Sequence, residues 1–119
     1  MSTEPVMTVV TALIRPRMEG RVVEALHGLP EFPGFFIAEV RGQGRGRGAG
    51  GSYVASEFEL TYHRFLQLQI VCRSDLASQV TDAITAAAWT GHKGDGVIFS
   101  APAHSFARIR ETGGAGRSL

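Results

Sequence analysis

Apolar and polar positions along the chain follow a spacing that changes several times. Residues 7–14 are rich in β-branched and apolar side chains and stop before Pro16, which is typical of a β-strand. From Arg17 onward, apolar side chains recur at helical spacing, with charged side chains between them. Gly28 and Pro30 are expected to end this helix. The pattern therefore predicts a strand followed by a helix.

The middle of the chain repeats this order. A second strand is predicted over residues 35–41. Residues 65–72 alternate between apolar and mixed positions, which predicts a half-buried strand. Ser74 suits the N-cap of a second helix, and Gly91 is predicted as its C-cap. The apolar stripe of this helix comprises Leu76, Val80, Ala83, Ile84 and Ala87.

The last part of the chain predicts two short strands. One covers residues 97–100 and is broken by Pro102, and the other covers residues 105–110. The whole order is β-α-β-β-α-β plus a short last strand, which indicates an α+β fold of the ferredoxin-like split β-α-β type. Two helices would then cover one face of an antiparallel sheet. The opposite face is half apolar, so we expect an oligomer formed through it.

A glycine-rich segment separates the second and third strands. Six of residues 42–51 are glycine, which predicts a loop. No Gly-Lys-Ser/Thr follows, and Arg47 occupies the third glycine position of a dinucleotide fingerprint, so neither phosphate motif is present. Successive backbone N–H groups could still form an anion-binding nest. The alternative is a loop whose glycines provide only flexibility.

Composition narrows the class of protein. The 119 residues fit one domain over 1–119, and 44 % hydrophobic residues suffice for a core. A net charge of +1 argues against broad nucleic-acid binding, and no apolar run is long enough to span a membrane. One cysteine and four scattered histidines predict no metal site. The sequence shows no acid–base constellation of the kind that an enzyme needs, so we expect a protein that is not an enzyme. Residues 1–5 show no secretory signal, so we expect a cytoplasmic protein.

Two further segments are candidate anion sites. The turn Gly94-Asp95-Gly96 would let the backbone approach a ligand, and Asp95 could hold a ribose or order the turn. The alternative is an ordinary turn between helix and strand. On the predicted last strand, Arg108 and Arg110 would point to the same face and could bind one phosphate. The alternative for this pair is two solvated arginines.

Taken in order, five segments resemble the P-II nitrogen-regulatory proteins. The segment 90–99 is fairly specific to that family, whereas the glycine loop alone is not. The other segments lie where the family has its opening strand, its first helix, the base of its long T-loop and its closing strand. They are residues 12–16, 24–26, 39–45 and 108–113.

The resemblance implies a homotrimer that binds an adenine nucleotide (ATP, ADP or AMP) in clefts between subunits. Residues 43–62 would be the T-loop, through which a transporter or a metabolic enzyme is controlled. Because fixing its many glycines costs backbone entropy, we expect this segment to be disordered or variable in shape without ligand or partner. The tail from about residue 112 is expected to be loose. The implied nucleotide-binding residues are Leu13, Gly42, Gln43, Gly44, Arg45, Val71, Gly94, Asp95, Gly96, Arg108 and Arg110.

The chain also departs from the family pattern. Val97 stands where the family has a phosphate-binding lysine, which implies little preference for ATP over ADP. Gly46 stands where the family has a glutamine that helps to bind magnesium and 2-oxoglutarate. The family's lysine for the 2-oxoglutarate carboxylate falls near Phe65, with Arg64 beside it, and the tyrosine that some members uridylylate falls at Phe58. These departures count against 2-oxoglutarate sensing and uridylylation. The alternative function is a ferredoxin-like trimer for metal tolerance or efflux, with weak or no nucleotide binding.

Overall fold

The computed structural model describes residues 6–43 and 63–112. Its strands are β1 (Met7–Ile14), β2 (Phe36–Gly42), β3 (His63–Arg73) and β4 (Gly96–Ala103). Its helices are α1 (Glu19–His27), α2 (Ala77–Ala88) and the short α3 (Ile109–Thr112). A 3₁₀ turn precedes each of the first two helices, at Pro16–Met18 and Ser74–Leu76.

The four strands form one antiparallel sheet in the order β2-β3-β1-β4. Among the described residues, the buried positions of the sheet all lie on the two central strands, β1 and β3, which each have a neighbour on both sides. The order β1-α1-β2-β3-α2-β4 confirms the ferredoxin-like prediction. Gly28 is the C-cap of α1, as predicted.

The core lies between the helices and one face of the sheet. From the sheet, β1 and β3 present alternate residues to this core, so the predicted alternation over 65–72 is confirmed. The two longer helices, α1 and α2, pack their apolar side chains against this face of the sheet. The fully buried large side chains are Val10, Val22, Leu26, Leu68, Ile70, Val80 and Ile84.

The other face of the sheet carries no helix in the described part of the chain and is rich in apolar side chains. The register places Phe36, Gln69, Thr11 and Phe99 in one row across the four strands. Phe36 is 77 % exposed and Phe99 57 % exposed. Val97 is 58 % exposed on the same face. We call this surface the open face.

The predicted ends of the second helix are wrong. The Ser74 hydroxyl lies 2.6 Å from the Thr8 hydroxyl and makes no helix cap, because the chain first forms a 3₁₀ turn. The C-cap is Trp89, and Gly91 lies two residues beyond it with φ +85°.

The last two predicted strands are also corrected. β4 continues through Pro102 to Ala103. Proline is tolerated there because β4 is an edge strand, paired with β1 alone. Residues 105–110 form no strand: an irregular segment leads into α3. Arg108 and Arg110 therefore do not share a strand face. The predicted T-loop, apart from Gln43, and the tail beyond 112 lie outside the described residues.

Candidate functional site

Three of the predicted site segments lie at one end of the sheet. Leu13 is near the end of β1, where Ile14 pairs with Gly96 at the start of β4. Gly42 ends β2 at the same end of the sheet, opposite His63. From β2 to β4 there are three strand spacings, about 14 Å. Gln43 follows Gly42 and is exposed, and Gly44 and Arg45 lie outside the described residues.

The remaining predicted residues lie elsewhere. Val71 pairs with Val9, four positions along β1 from Leu13, so it is about 13 Å away toward the other end of the sheet. β4 ends at Ala103, which pairs with Met7 at the end of the sheet opposite Leu13. Arg108 and Arg110 follow β4 at that opposite end. The candidate residues of one chain are thus divided between the two ends of its sheet.

The turn between α2 and β4, residues 90–96, is held together by Asp95. Its Oδ2 accepts a hydrogen bond from the backbone N–H of Thr90 at 2.7 Å. Its Oδ1 accepts one from the Thr90 hydroxyl at 2.5 Å. The His92 N–H donates in turn to that hydroxyl at 3.2 Å. Of the two roles considered for Asp95, this geometry shows that it orders the turn.

Arg15 also holds this turn, although the sequence did not indicate it as a site residue. It follows β1 directly, in extended conformation, and its Nε donates to Asp95 Oδ1 at 3.2 Å. Its Nη2 donates to the carbonyl oxygen of Lys93. A cation directly after a strand and before a proline was the available signal, but its partner is 80 positions away.

These donors stabilise the ionised form of Asp95. The hydrogen bonds from the hydroxyl and backbone N–H of Thr90, and then the hydrogen bond and positive charge of Arg15, lower the pKa of the Asp95 carboxyl from 3.8 to about 2. The carboxylate is therefore ionised at physiological pH, with its charge balanced within the turn.

The two glycines of the turn adopt backbone conformations that disfavour other residues. Gly94 has φ +85° and Gly96 has φ +118°. A Cβ at Gly94 would lie 3.3 Å from Arg15 Nη2, and a Cβ at Gly96 would lie 1.8 Å from the carbonyl oxygen of Leu13. The sequence Gly-Asp-Gly is therefore required by the close approach of this turn to the end of β1.

The two C-terminal arginines are both exposed, and Arg108 has partners within the chain. Arg108 lies over the Phe106 ring, 5.4 Å from its centroid, with its Nε 3.9 Å from a carboxylate oxygen of Glu111. Its side chain is 65 % exposed, and Arg110 is exposed on α3. Both guanidinium groups are at the surface, where an anion can reach them.

The described residues contain neither a metal-binding cluster nor a membrane-spanning helix. Over 6–43 and 63–112, no three His, Cys, Asp or Glu side chains come close enough together to hold a metal ion. Within the same ranges, no helix is long and apolar enough to cross a membrane.

Comparison with known proteins decides the family. The sequence profile described as "Nitrogen regulatory protein P-II" matches residues 7–113. The chain belongs to the P-II family. This match includes both the Arg15 segment and the Asp95 turn, and it confirms the resemblance seen in the sequence.

Individual P-II proteins are similar over most of their length. Nitrogen regulatory protein P-II of Microchaete diplosiphon is 38 % identical over 104 residues, which is 87 % of this chain and 92 % of that protein. The P-II protein of Azospirillum brasilense is 34 % identical over 110 residues, covering 91 % and 97 %. Nitrogen regulatory protein GlnK of Escherichia coli K12 is 34 % identical over 104 residues, covering 87 % and 92 %.

A solved structure shares the fold. The crystal structure of Arabidopsis thaliana PII bound to citrate superposes with a TM-score of 0.69 and 26 % sequence identity, covering 92 % of this chain and 89 % of that chain. The curated relatives are named as regulatory proteins, so this P-II chain belongs to a family of nitrogen-regulatory signalling proteins.

Proposed function

We propose that this P-II protein is a cytoplasmic homotrimer that binds an adenine nucleotide between subunits. Occupancy of that site would set the conformation of residues 43–62, which would bind and control a transporter or a metabolic enzyme. The protein is then a regulator without catalytic turnover. Family membership supports the class of function, and the geometry of the chain supports the placement of the site.

The placement of the candidate residues at opposite ends of the sheet is the observation that supports a site between subunits. Leu13, Gly42 and the 94–96 turn lie at one end of the sheet. Val71 and the segment that bears Arg108 and Arg110 follow the other end. A ligand that contacts both groups of residues must therefore lie between two subunits, at one end of the sheet of the first subunit and at the opposite end of the sheet of the second.

The open face supports the assembly. Phe36, Val97 and Phe99 are each more than half exposed in the single chain, and they lie on one continuous surface. Removal of apolar surface from water is favourable by about 25 cal/mol per Å², and it provides a driving force for association. Packing of open faces around a three-fold axis would cover these side chains and bring neighbouring sheets together.

The turn at residues 94–96 supports binding of an anion. Arg15 balances the charge of Asp95, so the backbone N–H groups of the turn can donate hydrogen bonds to a phosphate without an uncompensated carboxylate beside them. Val97 is apolar and pairs with Leu13, and it supplies no charge to a third phosphate. The site therefore suits ADP nearly as well as ATP.

Calorimetric titration of ADP and ATP tests the nucleotide site. The wild-type protein should bind both with similar affinity. Loss of one charge-assisted contact in Arg108→Ala should weaken binding roughly tenfold. Arg17→Ala, at an exposed position before α1, is the control and should bind as the wild type does.

Two outcomes would contradict this function. If neither nucleotide binds at millimolar concentration, the metal-tolerance alternative takes precedence, and titration with divalent metal ions then tests that alternative. If Arg108→Ala and Arg17→Ala bind ADP equally well, the C-terminal arginines are not part of the site.

The role of residues 43–62 requires a second experiment. A variant that shortens this segment to a few glycine and serine residues should still bind ADP but no longer copurify with a target that the full chain retains. A shortened variant that retains both ADP and the target would show that the target binds elsewhere on the protein.

A further inference from the structure

The guanidinium of Arg15 connects the end of β1 to the turn before β4. Its Nε donates to Asp95 Oδ1, and its Nη2 donates to the carbonyl oxygen of Lys93. The two contacts span 80 and 78 positions of the sequence, so they fix one part of the fold against another. The Arg15 side chain is 28 % exposed, because the turn that it holds shields much of it.

The contact to Lys93 sets the direction of the next peptide group. In a trans peptide the carbonyl and the N–H point in opposite directions, and the described part of the chain has no cis peptide. With the Lys93 carbonyl directed at Arg15, the N–H of Gly94 points away from Arg15. Among residues 6–43 and 63–112, the N–H groups of Gly94 and Asp95 have no hydrogen-bond acceptor. Successive N–H groups in such a turn form an anion-binding concavity.

The same contacts reduce the repulsion that an anion would meet there. The Asp95 carboxylate accepts hydrogen bonds from Arg15 and from two groups of Thr90. Its charge is thereby balanced within the turn. Without Arg15, less of the negative charge of the Asp95 carboxylate would be balanced beside the two amides. The Lys93–Gly94 peptide group would also lose the contact that fixes its orientation.

We propose that Arg15 is a positioning residue for phosphate recognition. It holds residues 93–95 in the conformation that presents the Gly94 and Asp95 amides to a phosphate. This role rests on the proposed function, because it assumes that the nucleotide binds at this turn.

The binding experiment compares two ligands that differ only in their phosphates. In Arg15→Gln, the affinity for ADP should fall roughly tenfold, the equivalent of one charge-assisted hydrogen bond. The affinity for adenosine should not change, because adenosine has no phosphate. Arg17→Gln, two positions further on and exposed, is the matched control and should bind both ligands as the wild type does.

Two further variants separate positioning from charge and from folding. Arg15→Lys keeps the charge but not the fork of two donors, so its loss of ADP affinity should be intermediate. Thr90→Val removes the hydroxyl that donates to Asp95, with little change of side-chain shape. This variant should also weaken the binding of ADP but not of adenosine, and it provides the test if Arg15→Gln fails to fold. An equal change for ADP and adenosine, or no change for ADP, would overturn the positioning role.

Amide hydrogen exchange in the nucleotide-free protein provides a readout that does not depend on nucleotide binding. The Thr90 and His92 amides are bonded within the turn, and they should exchange faster in Arg15→Gln than in the wild type. If the wild type binds no ADP, the proposed function fails while the exchange result still reports on Arg15. Unchanged exchange would show that Arg15 does not hold the turn, whatever the nucleotide result.

Discussion

Gly96 lies directly against the carbonyl group of Leu13, so close that a Cβ on Gly96 would stand 1.8 Å from the carbonyl oxygen. The contact occurs where β4 begins to pair with the end of β1. It therefore fixes the position of the preceding turn relative to Leu13, and both belong to the proposed nucleotide site.

Gly96→Ala should be strongly destabilising. The clash is with backbone, so the start of β4 must move, and φ +118° adds strain. We expect a loss of more than about 3 kcal/mol in the free energy of unfolding. Gly34→Ala is the control: its φ is also positive, at +76°, but nothing lies within 4 Å, so about 1–2 kcal/mol is expected. Urea unfolding at one protein concentration measures both, and equal losses would contradict the close approach.

The ionisation of Asp95 should make stability depend on acid pH. Its pKa is lowered in the folded protein from 3.8 to about 2, so the carboxylate stabilises the fold above pH 3.8. This contribution is lost as the pH falls toward 2. The difference in melting temperature between the wild type and Asp95→Asn should therefore be largest above pH 4 and shrink below it. A difference that stays constant from pH 6 to pH 2 would argue against the hydrogen bonds of the turn.

The open face should determine the assembly. Light scattering of the wild type should give about three times 12.8 kDa. Phe99→Glu places a charge where an apolar side chain is 57 % exposed in the single chain, and should reduce the mass toward that of one chain. Ala86→Glu, on the exposed surface of α2, is the control and should remain assembled. A wild-type monomer at micromolar concentration would rule out the inter-subunit site.

Val97 should determine the preference between ATP and ADP. Val97→Lys introduces a cation beside the turn, and ATP should then bind better than ADP by roughly tenfold. Gly46 and Phe65 lack the groups expected to hold 2-oxoglutarate, so addition of that acid with magnesium should leave ATP affinity unchanged in the wild type. Calorimetry measures both effects. Tighter ATP binding in the presence of 2-oxoglutarate would mean that other residues hold it.

The sequence predicted the parts of the fold that local periodicity determines. The alternation over residues 66–72 and the stripe at Val80 and Ile84 gave strand and helix correctly, because the core selects those positions. The strand expected at 105–110 was wrong because alternation over so few residues does not distinguish a strand from a loop that leads into a short helix.

The sequence predicts those residues of the candidate site that form a contiguous motif. It does not predict the residues that come together from distant positions in the chain. Gly94, Asp95 and Gly96 are adjacent in sequence, so the turn that they form could be predicted as a candidate site from the sequence alone. Arg15 was missed, because its partner Asp95 becomes its neighbour only once β1 and β4 are paired. The same limit applies between subunits, since no pattern in one chain reveals which residues of two chains share a ligand.

The measurement that tests the central claim most directly is a calorimetric titration of ADP into the wild-type protein, with the assembly mass determined on the same sample. The account predicts saturable binding of one ADP per chain in a trimer. No binding heat at millimolar ADP, or full binding by a monomer, would contradict a nucleotide site built between P-II subunits.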